Sequence, residues 1–165
     1  MEIAVNRNDA PLAQHARARQ GFVGLARAAI KALEDYLAPV LDLGIRLLVA
    51  GVFFQSGLVK ITSWSATLAL FENEYAVPVL PPELAAYLGT GAELGLPVFL
   101  ALGLGGRFAA AALFVFNIIA VISYPDLGEV GLRDHQYWGL LLLVTLLHGP
   151  GKLSVDHFLN RKFFN

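Results

Sequence analysis

The chain contains no cysteine and a single methionine, the initiator. Without cysteine it forms no disulfide, holds no iron–sulfur cluster and performs no thiol exchange. Without internal methionine or cysteine it also lacks the soft ligands of a copper(I) pathway. Charge is scarce as well: 15% of its 165 residues are Asp, Glu, Lys or Arg, against about a quarter in an ordinary soluble domain. The first forty residues contain no apolar core followed by a small-residue cleavage site, so no signal peptide is expected. No metal-ligand cluster, phosphate loop or nucleophile triad is present, and nothing suggests a nucleic-acid partner.

What the chain has instead is apolar length. A membrane-crossing helix needs about 20 mostly apolar residues. Four runs meet or approach this, at about 41–61, 83–104, 107–124 and 134–149, the last short by about a turn. A soluble helical core is the alternative, but "AAAALFVFNIIAVISY" and "WGLLLLVTLL" offer no polar face to water. The expected fold is therefore all-α: an integral membrane four-helix bundle, with the lipid bilayer as its first partner.

Positive charge sets the expected topology. Arg7, Arg17, Arg19, Arg27, Lys31, Arg46, Arg107, Lys152, Arg161 and Lys162 fall on one side, while Lys60 and Arg133 fall on the other. Basic residues favour the cytoplasm, so both termini are expected there, in a bacterial inner membrane. Residues 1–10 read as disordered. From 11 to 38, Phe22, Ala26, Ala29, Leu33 and Leu37 recur at helical spacing with basic residues on other faces. This predicts an amphipathic helix on the cytoplasmic membrane surface, a solvated linker helix being the alternative. The bundle is expected over 41–159 and a short tail over 160–165.

The polar residues inside the spans are the candidate site. Glu93 lies mid-span in "GTGAELGLPVFLALG", where an ionised carboxylate in lipid is strongly unfavourable. Gly91 and Gly95 form a G-x-x-x-G pair inviting close helix approach, and Pro97 frees the carbonyl of Glu93. Glu93 is then either protonated or paired with Lys60. Arg46 and Lys60 share one face of the first span, as cationic posts at its two ends or as snorkelling side chains. Gln55 and Asn117 join Glu93 and Lys60 as candidate proton or ligand groups, with interhelical packing as the alternative role. Tyr137 and Trp138 read as interfacial anchors, His148 as a helix C-terminal cap. His135, with Tyr124 or Asp134, is a candidate outer-face proton relay.

Taken together, "RLLVAGVFFQSGLVK", "GAELGLPVFLALGLGGR" and "HGPGKLSVDHFL" resemble the DoxX family across Asp42 to Leu159, roughly seven tenths of the chain. The family's pattern maps onto Arg46, Gly57, Lys60, Glu93, Pro97, Arg107, Gly149, Gly151, Ser154 and Asp156. The resemblance implies a small bacterial membrane protein with four spans. It also implies service to thiosulfate oxidation with quinone reduction, to redox-stress systems, or to enzymes that modify small metal-binding peptides. The leading expectation is an inner-membrane subunit of a redox system with no redox centre of its own, and quinone as the non-covalent cofactor. Electrons would come from a partner protein. A membrane escort or transport factor for a small metal-binding peptide is the second expectation, a scaffold the third, and self-association stays open. Arg46, Arg107 and Asp156 are expected on the cytoplasmic face, Asp156 pairing with one of the two arginines.

Overall fold

A computed structural model describes residues 23–163. The expectations for 1–10 and 11–22 therefore lie outside the described residues. The chain divides after Ala38 into two units. In the first, residues 23–32 are α-helical and Leu33–Leu37 form a π-helical turn closed by the Ala38 N–H on Leu33 O. The wider turn precedes Pro39, which has no N–H for a regular bond to the carbonyl four residues back. Lys31 and Asp35 pair at 3.1 Å, and Leu25, Ile30, Leu33 and Leu37 are exposed.

The second unit holds six helices: α1 Ala38–Thr62, α2 Trp64–Asn73, α3 Pro82–Leu102, α4 Gly106–Ser123, α5 Gly128–His148 and α6 Val155–Phe163. The described residues contain no strand. The helical stretches Val23–Thr62, Pro82–Leu102 and Gly106–Ser123 are long and apolar enough to cross a membrane. α5 matches them in length at 21 residues, about 31 Å at 1.5 Å per residue. Its first two turns carry Glu129, Arg133 and Asp134. The helix thus starts well before the expected 134, although its added turns are charged and the apolar run still begins near that residue. α6 runs to Phe163, into the expected tail.

Consecutive long helices pack as neighbours, α3 on α4 and α4 on α5, with α1 closing the bundle through its side chains. Val49, Ala50 and Phe53 of α1 meet Leu100, Ala109, Ala110, Leu113 and Leu142 in one buried core. The small side chains of Ala50, Ala109 and Ala110 sit in this core, and Phe53 fills it edge-on to Phe116 and Trp138. Outward, Leu47, Leu48, Val59, Phe99, Phe108, Val115, Ile122, Leu140 and Leu147 are all exposed. An apolar coat of that extent needs lipid around it. The result is an all-α membrane bundle.

α2 was not legible as an element. "WSATLALFEN" is short and uncapped, and it forms because Phe71 packs on Ala85 and Ala86 of α3 with Trp64 and Leu68 around them. The crossing that follows, residues 74–81, is tied to the end of α4 by the Ala76 N–H on Ser123 O at 2.7 Å.

Candidate functional site

The two basic residues of α1 mark the two ends of the site region. At the first end, Arg46 is 1% exposed, which corrects the snorkelling alternative. Its guanidinium donates to the carbonyls of Leu100 (3.2 Å), Ala101 (2.7 Å) and Leu153. Leu100 and Ala101 lie in the last turn of α3, where carbonyls run out of helical donors: Leu100 O also takes the Gly103 N–H at 3.1 Å, and Ala101 O takes the guanidinium. The cation therefore caps a helix C-terminus as well as joining three segments.

Asp156 lies at the same end but forms no ion pair with Arg46 or Arg107 within 4 Å. It accepts the N–H groups of Gly105 and Gly106 at 2.8 Å each, capping the start of α4, and its own N–H donates to Gly103 O. A carboxylate at a helix N-terminus meets unpaired donors and the positive end of the dipole. That satisfies Asp156 without a guanidinium. Arg107 instead donates to His148 O at 3.3 Å, the carbonyl end of α5. Gly103 is required here: its φ is +65°, and an added Cβ would stand 2.6 Å from Arg46 Nη1. Ser154 Oγ accepts the His157 N–H and starts α6 as an N-cap.

At the second end, Lys60 and Glu93 pair. Lys60 Nζ donates to Glu93 Oε1 at 2.8 Å and Oε2 at 2.7 Å, and to Ser56 Oγ at 3.0 Å. Ser56 in turn donates to Glu93 Oε1 at 3.1 Å. Of the two states open to Glu93, the geometry is that of the pair. What brings the residues together is Gly57, where an added Cβ would meet Leu94 at 2.9 Å and Glu93 Cβ at 3.0 Å. The G-x-x-x-G pair does not do this: at Gly91 and Gly95 nothing lies within 4 Å of an added Cβ.

The pair forms part of the wall of a cavity of about 490 Å³ between α1, α2, α3, α4 and α5. The wall is mostly apolar and rich in rings, among them Phe53, Phe71, Tyr75, Phe116, Tyr124 and Trp138. Polar groups converge at Lys60, Glu93, Ser56, Ser123 and His135. Of the sequence candidates, Glu93, Lys60, His135 and Tyr124 thus share one cavity. Asn117 is tied to His135, through Nδ2 to His135 O at 2.9 Å and Oδ1 to Nδ1 at 2.7 Å. Gln55 is on the exposed face of α1 and off the wall. Tyr124 meets Tyr75 edge-on at 5.0 Å, and Trp138 faces the His135 ring rather than serving only as an anchor.

Two wall residues had no sequence signal. Ser123 Oγ is buried without a hydrogen-bond partner in the protein. Tyr75, on the crossing, has its phenol held above the usual range, first by burial and then by the negative charge of Glu93. It is a neutral hydroxyl at any physiological pH. The place of Tyr75 beside Glu93 depends on where the 74–81 crossing returns. Among the described residues no group of three or more His, Asp or Glu is placed to hold a metal ion.

Comparison with known proteins supplies the family. The DoxX family model matches residues 41–125, short of the 42–159 reached by motif. The chain is also 27% identical over 128 residues to an uncharacterized protein of Haemophilus influenzae, covering 72% of this chain and 83% of the relative. No solved structure matches it. The chain belongs to the DoxX family.

Proposed function

We propose that this DoxX-family chain is an inner-membrane subunit of a redox system whose cavity takes the ring of a quinone-class carrier. The observation that carries the reading is the Lys60–Glu93 pair set in the wall of a ring-lined, largely apolar cavity of about 490 Å³. Sites for small organic molecules have this character, apolar walls with a few converging polar groups. The orphaned Ser123 hydroxyl fits a ligand with a polar substituent, since a buried hydroxyl left unpaired is costly.

A quinone, when bound, supplies two-electron, two-proton carrier chemistry. The chain's own residues supply the setting. The aromatic walls orient a flat ring by edge and face contacts. Lys60 spends its three donors on Glu93 and Ser56 and so holds both of them in place on the wall. Glu93 is the carboxyl on the wall and thus the candidate proton site of this reading, fixed there by Lys60 and Ser56. With no cysteine in the chain, any thiol or iron–sulfur chemistry belongs to a partner protein. Both termini lie on the cytoplasmic side in this reading, which puts the Arg46 end inward and the cavity in the outer half.

The escort and transport reading needs a polar path through the bundle. Below the cavity Phe53, Leu100 and Leu113 close the interior, Gln55 faces out, and Asn117 is committed to His135. A partner that modifies peptides would then dock outside the bundle. The test is native mass spectrometry of the gently solubilised full chain from its own membrane. Quinone is expected to remain on the wild type at near-stoichiometric level and to be lost from Glu93→Gln. A wild type carrying no quinone, or a variant carrying as much, overturns the reading.

A further inference from the structure

His135 holds a position shared by no other described wall residue. It lines both the 490 Å³ cavity and a second, shallower groove of about 390 Å³ between α4 and α5. Asn117 lines the groove but not the cavity. His135 therefore stands between the two spaces, its ring held by Asn117 and packed on the Trp138 ring at 4.8 Å.

The hydrogen bonds decide what this ring can offer. The backbone carbonyl of His135 can only accept, so the Asn117 atom 2.9 Å from it is the amide nitrogen. That fixes the other end of the amide: its oxygen faces His135 Nδ1 at 2.7 Å. An amide oxygen can only accept, so Nδ1 carries the proton. In the neutral ring Nε2 is then a bare acceptor, and with Nδ1 turned to a groove-side residue it is the nitrogen left for the cavity.

We infer that His135 is a specificity-determining residue of the cavity: its Nε2 accepts a hydrogen bond from a ligand hydroxyl, so the site prefers the hydroxyl-bearing quinol form of the ring to the carbonyl quinone form. This rests on the quinone-class reading above. The other polar wall groups do not discriminate in this way. Serine and tyrosine hydroxyls rotate to donate or accept, the three protons of Lys60 already meet Glu93 and Ser56, and the Glu93 carboxylate, the other fixed acceptor on the wall, already takes those donors on both oxygens. A fixed acceptor facing a carbonyl leaves two lone-pair atoms opposed, whereas a hydroxyl pairs with it. Sites built to bond a hydroxyl reject analogues lacking it.

The test uses the full chain in lipid nanodiscs, without oxygen. Ubiquinol and ubiquinone carrying one isoprenoid unit are the probes, and quenching of Trp138 fluorescence, read in a Trp64→Phe background, is the readout. The wild type is expected to bind the quinol on the order of tenfold more tightly. In His135→Phe the ratio falls to about one, with quinone affinity held within about twofold. A preference that survives in His135→Phe overturns the inference and leaves the quinone-class reading standing. Binding of neither form by the wild type overturns both. Nitrogen-15 spectra of the histidine-labelled wild type test the tautomer without any variant. A protonated Nδ1 and bare Nε2 at His135 are expected, and the reverse pattern ends the proposal.

Discussion

Arg46 and Lys60 are fourteen residues apart on one helix and solve the same problem in opposite ways. Each is a cation that must be kept from lipid. Arg46 spreads its planar donors over carbonyls from two other segments, a geometry suited to a guanidinium and to no ammonium. It is sealed, with a glycine at position 103 because nothing larger fits beside it. Lys60 has one carboxylate and one hydroxyl, both on a cavity wall. The first arrangement ends in backbone that cannot change its charge. The second ends in a side chain that can. A buried cation paired to carbonyls is architecture, and a cation paired to a titratable acid beside an open space is suited to chemistry.

Breaking the sealed end should cost most. Arg46→Leu strands carbonyls at two segment ends in an apolar setting and is expected to destabilise the bundle by about 3–5 kcal/mol, read as unfolding in a fixed detergent. An unfolding curve matching wild type would show that the carbonyls find other donors and that the contrast drawn here is empty.

At the open end, Lys60→Met leaves Glu93 to take up a proton, which softens the loss to about 2 kcal/mol. Adding Glu93→Leu should return stability to within about 1 kcal/mol of wild type, because an ion pair replaced by apolar groups is often neutral. Double-mutant analysis measures this coupling. If the double variant were as unstable as Arg46→Leu, the pair would be structural in the same sense as the clamp.

The smallest effect separates two glycine contacts. Gly57→Ala pushes on Leu94 and Glu93 and is expected to cost about 1–2 kcal/mol. Gly95→Ala, with open space at its Cβ, should fall within about 0.5 kcal/mol of wild type in the same assay. Equal effects at the two positions would mean that an additional contact covers α3.

The sequence exposes the spans because lipid leaves one solution, long apolar helices with their backbone satisfied internally. It also exposes Glu93 and Lys60, because charge in that setting is conspicuous. It does not show which side of an all-round apolar helix meets protein, so Gln55 reads as interior and Gly91 and Gly95 read as a contact. The partners of Arg46 are 54, 55 and 107 residues away, beyond any local pattern. The early start of α5 is hidden for another reason. Glu129, Arg133 and Asp134 read as loop, although a helix can continue past the apolar zone.

The Arg46 clamp also sets a timetable for biosynthesis. Its last acceptor, Leu153 O, is 107 residues downstream, about 5–20 s of synthesis at common elongation rates of roughly 5–20 residues per second. Throughout that interval the first span carries a guanidinium without its full set of acceptors. Completion of the fold is thereby tied to the emergence of nearly the whole chain, and a product cut short before Leu153 displays an unfinished cation to membrane quality control.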